Sequence, residues 1–327
     1  MSQKRIHAND GISPAGKTAL EEAGFTVTTE AIPQDQLAAY LNKERIEVLL
    51  VRSATKVRKD LIDACPGLRM IGRGGVGMDN IDVEYGRGKG IHVFNTPASS
   101  SISVAELVMA HLFGLMRGLH EANRRMPGEG ATEFKVLKKA YGKGRELRGK
   151  TLGIIGFGRI GRWTARYALG CGMRVIYVDN TATTDSIEME IGGQAVRVPV
   201  KMVSMDELLA TSDAVSLHVP AQADGRPILG GEELARMKPG AILVNTARGG
   251  SVDEDALLEA LKEGRLAGAA LDVFVNEPTP RADLLGVAGC SLSPHIGAAT
   301  VEAQDRIGEE IAEIVIAHYT KIGRAHV

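Results

Sequence analysis

Thr151-Leu152-Gly153-Ile154-Ile155-Gly156-Phe157-Gly158-Arg159-Ile160-Gly161 joins an apolar run to a Gly-x-Gly-x-x-Gly motif that opens an amphipathic segment. The order reads as strand, tight turn and helix. Gly156 permits the turn, Gly158 lets backbone approach a pyrophosphate, and Gly161 lets the helix pack closely on the strand. The N–H groups of Arg159, Ile160 and Gly161 and the positive end of the helix dipole then serve the phosphates. The next apolar run, 174–178, ends at Asp179, 23 residues beyond Gly156. A carboxylate there accepts hydrogen bonds from ribose hydroxyls and repels the extra phosphate of NADP, so the cofactor predicted is NAD.

The same rhythm runs outward on both sides. Strands are predicted at 5–8, 25–28, 47–51, 69–72 and 91–94, with helices at 14–23, 36–41, 58–64 and 83–89. Beyond the motif, strands are predicted at 214–218, 241–245 and 269–273, with helices at 160–169, 253–263 and 301–319. Between the halves lie one long apolar helix, 103–125, and a Gly-rich basic connector, 126–150. The chain is therefore α/β, with parallel sheets covered by helices, and its 327 residues suit two domains. A net charge of −1 gives no reason to expect nucleic acid or an anionic membrane as partner. Cys65, Cys171 and Cys290 are an odd number without CxxC spacing, which argues against a disulfide framework or a cysteine zinc site; no metal is predicted. The start of the chain has no apolar signal region, so a cytoplasmic location is expected.

Three further segments carry chemistry: Asn245-Thr246-Ala247-Arg248-Gly249-Gly250, Ala270-Leu271-Asp272-Val273-Phe274-Val275-Asn276-Glu277-Pro278, and Ser293-Pro294-His295-Ile296-Gly297-Ala298-Ala299-Thr300. With the glycine motif and Asp179, they closely resemble the D-2-hydroxyacid dehydrogenase family over nearly the whole chain. The resemblance implies two Rossmann-like parallel-sheet domains. The first, flavodoxin-like and discontinuous, takes residues 1–98 and 297–327 and binds substrate; residues 99–296 bind NAD. It also implies catalytic roles for Arg248, Glu277 and His295. Oxidising an alcohol needs a base for the hydroxyl proton, and imidazole titrates near pH ~6.5. A carboxylate beside it orients the ring, and an arginine fork holds the substrate carboxylate. Thr246, Ala247, Asp272 and Gly297 fall at cofactor positions, Asp272 matching the residue that binds the nicotinamide carboxamide. His218 and Pro220 fall at the cofactor edge, where a purely structural histidine is an equal reading.

Selectivity is expected from the first domain. Arg52, Ser53 and Arg73 end or follow apolar runs, and Gly74, Gly75, Val76 and Gly77 form a segment whose amides could nest an anion. Two guanidiniums suit a small phosphorylated hydroxy acid, with Asn80 and Asn95 as lesser contributors. Val76 stands where relatives often carry Thr. A homodimer or homotetramer is expected through the helix after the first domain, with Lys138 or Lys139 reaching a neighbour's phosphate pocket. The end at Val327 leads us to expect no appended amino-acid-binding domain and no feedback through one. Two alternatives stand beside this reading: a glyoxylate or hydroxypyruvate reductase of the same family, and a non-enzymatic, corepressor-like NAD sensor.

Overall fold

The structure, a computed structural model, describes residues 4–181 and 183–324. It divides into two compact units, Met1–Ser100 with Ala298–Val327, and Ser101–Gly297. The chain opens with β1 (Arg5–Ala8), α1 (Pro14–Glu22), β2 (Thr26–Thr28), α2 (Gln34–Lys43), β3 (Val48–Val51), α3 (Lys59–Ala64), β4 (Met70–Arg73), α4 (Val83–Gly88) and β5 (His92–Asn95). The second unit holds α5 (Ser101–Arg117), α6 (Leu119–Glu129), α7 (Phe134–Tyr141), β6 (Thr151–Ile155), α8 (Arg159–Gly170), β7 (Arg174–Val178), β8 (Ser186–Ile191), β9 (Gln194–Pro199), β10 (Lys201–Met202), α9 (Met205–Thr211) and β11 (Ala214–Leu217). It continues through α10 (Gly231–Arg236), β12 (Ile242–Asn245), α11 (Glu254–Lys262), β13 (Gly268–Leu271), α12 (Ala282–Leu285) and β14 (Cys290–Leu292), and α13 (Val301–Arg324) returns to the first unit.

In the first unit the sheet order is β2-β1-β3-β4-β5, all parallel. This is the flavodoxin-like order 2-1-3-4-5. The four residues of β3 are all buried, as a strand covered on both faces requires. One face packs on Leu37, Leu41 and Ile62, the other on Leu20, Ile307, Ile311 and Val315 of α1 and α13. Ser13 caps α1 by accepting the Gly16 N–H at 3.2 Å, with Pro14 at the first helical position. α1 crosses α13 at Gly16 and Gly308, where a Cβ on Gly16 would come within 2.5 Å of Gly308 backbone.

In the second unit the order is β10-β7-β6-β11-β12-β13-β14, also all parallel. Counted from β6 as first, this is the dinucleotide-binding order 3-2-1-4-5-6 with one more strand at the far edge. α5 covers β12, β13 and β14, and α8 covers β6 and β7.

Four sequence expectations need correction. The 103–125 helix is two helices, because Gly118 takes φ 60 ψ 24 and the axis bends by 62° there. The segment read as a connector contains the end of α6 and all of α7. An antiparallel hairpin, β8–β9, follows β7, where no strand was expected. β10 and β14 extend the sheet at its two edges beyond the strands foreseen. No single helix among the described residues is long and apolar enough to cross a membrane.

Candidate active site

The turn after β6 has the geometry its glycines require. Gly156 has φ +93, and a Cβ there would lie 2.6 Å from the His218 carbonyl oxygen. A Cβ on Gly161 would collide with the Gly156 oxygen, so only glycine lets α8 begin this close to the strand. A Cβ on Gly158 would meet no atom within 4 Å. That open space beside the first amides of α8 has room for a pyrophosphate. Asp179 is tied to the same turn: Oδ2 accepts the Phe157 N–H at 2.6 Å, and Oδ1 accepts the Thr181 N–H at 2.7 Å and hydroxyl at 3.0 Å. Beneath it the rings of Phe157 and Tyr177 stack 3.9 Å apart. Along the strand ends, the buried Thr246 hydroxyl has no hydrogen-bond partner within the protein. A buried hydroxyl left this way fits a polar group brought by a ligand. His218, half-buried, shares a hydrogen with Ser216 Oγ at 2.9 Å. Burial pushes its imidazole down to about 3, so it is neutral. The exposed Pro220 follows in the same loop. The cradle therefore fits NAD.

The catalytic candidates sit on neighbouring loops of this unit. Asn245, at the end of β12, accepts the Ala247 N–H at 3.0 Å and donates to the Arg248 carbonyl at 2.8 Å, which fixes the Arg248 backbone. Arg248 Nη1 donates to the Ala247 carbonyl at 2.6 Å. One residue on, Gly249 lies against Phe274, and a Cβ there would collide with the Phe274 carbonyl. This contact brings the Arg248 loop beside the Glu277 loop. Glu277 Oε1 accepts the Phe274 N–H at 3.0 Å, and its Oε2 meets His295 Nδ1 at 2.7 Å. A carboxylate can only accept here, so Nδ1 carries the proton and Nε2 is the nitrogen left to exchange one. His295 has φ 55, a left-handed backbone rare for a side chain of this size, and its ring is about half exposed.

Asp272 is built into the loop that carries His295. Its side chain is 1% exposed. Oδ1 accepts the Ser293 hydroxyl at 2.6 Å and the Ile296 N–H at 2.9 Å, and Oδ2 accepts the Gly297 N–H at 2.8 Å. The carboxylate thereby holds the loop that carries His295.

The first unit presents a second set of candidates at the C-terminal ends of β3 and β4. Asp10 holds the Arg52–Thr55 loop: Oδ2 accepts the N–H groups of Arg52 at 2.6 Å and Thr55 at 3.1 Å, and Oδ1 the Thr55 hydroxyl at 2.5 Å. Asn80 donates to the carbonyls of Arg52 and Thr55 at 2.8 and 2.6 Å, and Asn95 to that of Val76 at 2.5 Å. Both asparagines brace loops. The Gly74 N–H goes to the Val51 carbonyl at 2.9 Å and the Gly75 N–H to the Thr96 hydroxyl at 2.8 Å, so an anion nest in this segment rests on the amides of Val76 and Gly77. The Arg73 guanidinium lies over Gly75, where a Cβ would collide with Nη1. Ser53 and Val76 are exposed. A cavity of about 230 Å³ opens beside Asp10, Ser13, Arg52, Gly74, Gln304 and Ile307. It lies where the strand order reverses between β1 and β3, the position that binds ligands in sheets of this order.

Residues 109–297 match the family model described as D-isomer specific 2-hydroxyacid dehydrogenase, NAD binding domain. The chain is 42% identical over 317 residues to a hydroxypyruvate reductase of Thermotoga maritima, covering 96% of this chain and 97% of that one. The chain belongs to the D-2-hydroxyacid dehydrogenase family. It is also 42% identical over 310 residues to a D-3-phosphoglycerate dehydrogenase of Methanocaldococcus jannaschii, covering 94% of this chain but spanning 56% of that protein's length. The TT0316 protein of Thermus thermophilus has the same fold, with a TM-score of 0.82, 32% identity, and coverage of 96% of this chain and 97% of that one. This dehydrogenase thus uses NAD, held by its second unit.

Sequence reasoning did not find Asp10, Thr96, Ser103, His111 or Ser293, which support the loops of this dehydrogenase. Their contacts join positions far apart in the chain, as Asp10 to Thr55 and His111 to Ser293. No spacing rule reports such pairs. Lys138 and Lys139 are exposed in the last turn of α7.

Proposed function

We propose that this dehydrogenase interconverts D-3-phosphoglycerate and 3-phosphohydroxypyruvate. NAD, when bound, supplies the hydride acceptor for C2. His295 Nε2 takes the hydroxyl proton as the C2 carbonyl forms and returns it in the reverse direction. Glu277 orients the ring through Nδ1 and stabilises the imidazolium. Arg248 holds the substrate carboxylate with its fork. The observation that carries the substrate reading is the pair Arg52 and Arg73, at the ends of adjacent strands β3 and β4. A phosphate calls for such a second cationic site; an unphosphorylated acid does not. A second reading, reduction of hydroxypyruvate, is favoured by the Thermotoga maritima relative, which this chain matches end to end.

The test is NADH oxidation with 3-phosphohydroxypyruvate beside hydroxypyruvate, glyoxylate and pyruvate. The expected result is a preference of at least about tenfold in kcat/KM for the phosphorylated acid, equivalent to roughly 1.4 kcal/mol. Preference for hydroxypyruvate transfers the enzyme to the second reading. No turnover with any of the four removes the enzymatic one.

We also propose a dimer through α5–α7. Phe113, Leu119, Met126, Phe134 and Val136 are exposed there, at 43–62%, and large exposed apolar side chains gathered on one segment mark an interface. Lys138 and Lys139 then approach the partner's phosphate site. The three free thiols suit a reducing cytoplasm.

A further inference from the structure

α5 reaches the His295 loop with two side chains that the reaction has not used. His111 is buried, with Nδ1 2.8 Å from Ser291 Oγ and Nε2 3.0 Å from Ser293 Oγ. The direction of these bonds follows from the far end. The Ser293 hydroxyl donates to Asp272 Oδ1, because a carboxylate only accepts. With its proton committed, Ser293 Oγ must accept from His111. The ring hydrogen therefore sits on Nε2, and Nδ1 accepts the Ser291 hydroxyl. The chain runs one way: Ser291 to His111 to Ser293 to Asp272.

Asp272 in turn receives the N–H groups of Ile296 and Gly297, the two residues after His295. The Gly297 carbonyl accepts the Ser103 hydroxyl at 2.6 Å, again from α5. The loop is thus gripped through the two residues that follow His295, while the His295 ring is held by Glu277. The grip has a task, since a non-glycine residue at φ 55 persists only where its surroundings over-determine it. Burial pushes the His111 imidazole below its ordinary value against the pull of Asp272, which keeps the ring in the one-hydrogen form the chain needs.

We infer that His111 is a positioning residue for His295: its Nε2–H orients Ser293, and through it the Asp272 carboxylate that fixes the backbone on which the His295 imidazole is aimed. This rests on the acid–base reading of His295. An apolar side chain of similar size would fill the same space, so packing alone does not require a histidine there.

The experiment compares His111→Leu, His111→Gln, Ser293→Ala, His295→Asn and the double variant H111L/H295N, by NADH oxidation with 3-phosphohydroxypyruvate and hydroxypyruvate. H111L and S293A should each lower kcat by about 10- to 100-fold, the scale of a displaced catalytic group, while NADH affinity by fluorescence stays within about twofold (a factor worth ~0.4 kcal/mol). His111→Gln, which restores an N–H donor toward Ser293, should recover most of the loss. H111L/H295N should be no slower than H295N, because residues acting through one another are not additive. A kcat for folded H111L within twofold of wild type, equal losses in Leu and Gln variants, or a full further loss in the H295N background would each overturn the inference. Imidazole ¹⁵N shifts give a reading independent of turnover, and a hydrogen on Nδ1 of His111 would overturn it too. Wild-type turnover by H295N alone would instead sink the acid–base reading. If H111L fails to fold, S293A carries the test.

Discussion

Asp10 commits both carboxylate oxygens to the loop that begins at Arg52, and a buried polar chain stands behind it. His7 Nε2 meets Asn9 Oδ1 at 3.0 Å, and Asn9 Nδ2 donates to Thr55 Oγ1 at 2.8 Å, whose hydrogen goes to Asp10. The phosphate role proposed for Arg52 requires a backbone that does not drift, and hydrogen bonds from N–H to a charged acceptor are the strong ones. Asp10→Asn places an amide NH₂ or a neutral oxygen where two N–H groups now meet a carboxylate. Such a change costs about 1.5–3 kcal/mol of local hold. We expect KM for the preferred acid to rise by about tenfold, equivalent to roughly 1.4 kcal/mol, with NADH affinity unmoved. A D10N enzyme with unaltered KM would show that the Arg52 loop holds its shape without Asp10. At this scale legibility depended on sequence distance. The glycine turn and Asp179 could be read because their spacing is local and fixed by one strand–turn–helix unit. The supports of Arg52 and His295 could not, because each joins residues from separate strands or helices.

Among elements, the break between α5 and α6 is the clearest departure from pattern. Apolar residues recur at helical spacing from Val104 past the break to Leu119 and Ala122, and periodicity reports a face but not an interruption. The information lies in one residue, Gly118, at φ 60. An added Cβ there would also lie 3.1 Å from the Tyr141 ring of α7. Gly118→Ala should destabilise the second unit by about 1–2 kcal/mol and lower its Tm by roughly 2–4 °C for each kcal/mol, given a unit of about 200 residues. Calorimetry showing an unchanged or raised Tm would mean that the bend does not depend on glycine. The β8–β9 hairpin was hidden for another reason. Its signals were present, Ile187, Met189 and Ile191 in alternation and then Gly192-Gly193 at φ 58 and 77, the turn that suits a two-residue hairpin. They belong to an antiparallel pair outside the seven-stranded sheet, which the parallel-sheet rhythm of the rest of the chain does not announce. The central strands of both parallel sheets were legible, because each is a short apolar run bounded by turn residues, whereas the edge strands β10 and β14 were not.

For the whole molecule, the buried histidines set how stability responds to acid. Each unit carries such residues, fully or partly buried: His7 and His318 in the first, His111 and His218 in the second. Burial lowers all four below the ordinary imidazole value of 6.5, with His218 reaching about 3. In the unfolded chain they protonate as pH falls through 6.5; in the folded protein they stay neutral to lower pH. The unfolded state then binds more protons, so stability is greatest above pH 6.5 and declines as pH falls below it. Each histidine contributes a slope of at most about 1.4 kcal/mol per pH unit, and only between the unfolded value and its own lower folded one. Carboxylates held low act in a separate, more acidic window. Asp283, which Arg281 holds at about 2, loses its advantage only as pH drops below the ordinary 3.8. The interval between about pH 5 and 6.5 therefore isolates the histidines. Urea unfolding at pH 7.5, 6.5, 5.8 and 5.2 should show a plateau and then a fall, and His218→Asn should remove one proton's share of that slope. A stability that stays level down to pH 5.2 would mean that these rings take up protons without unfolding. The Ser291–His111–Ser293 chain, which needs Nδ1 as an acceptor, would then have to rearrange in the folded state.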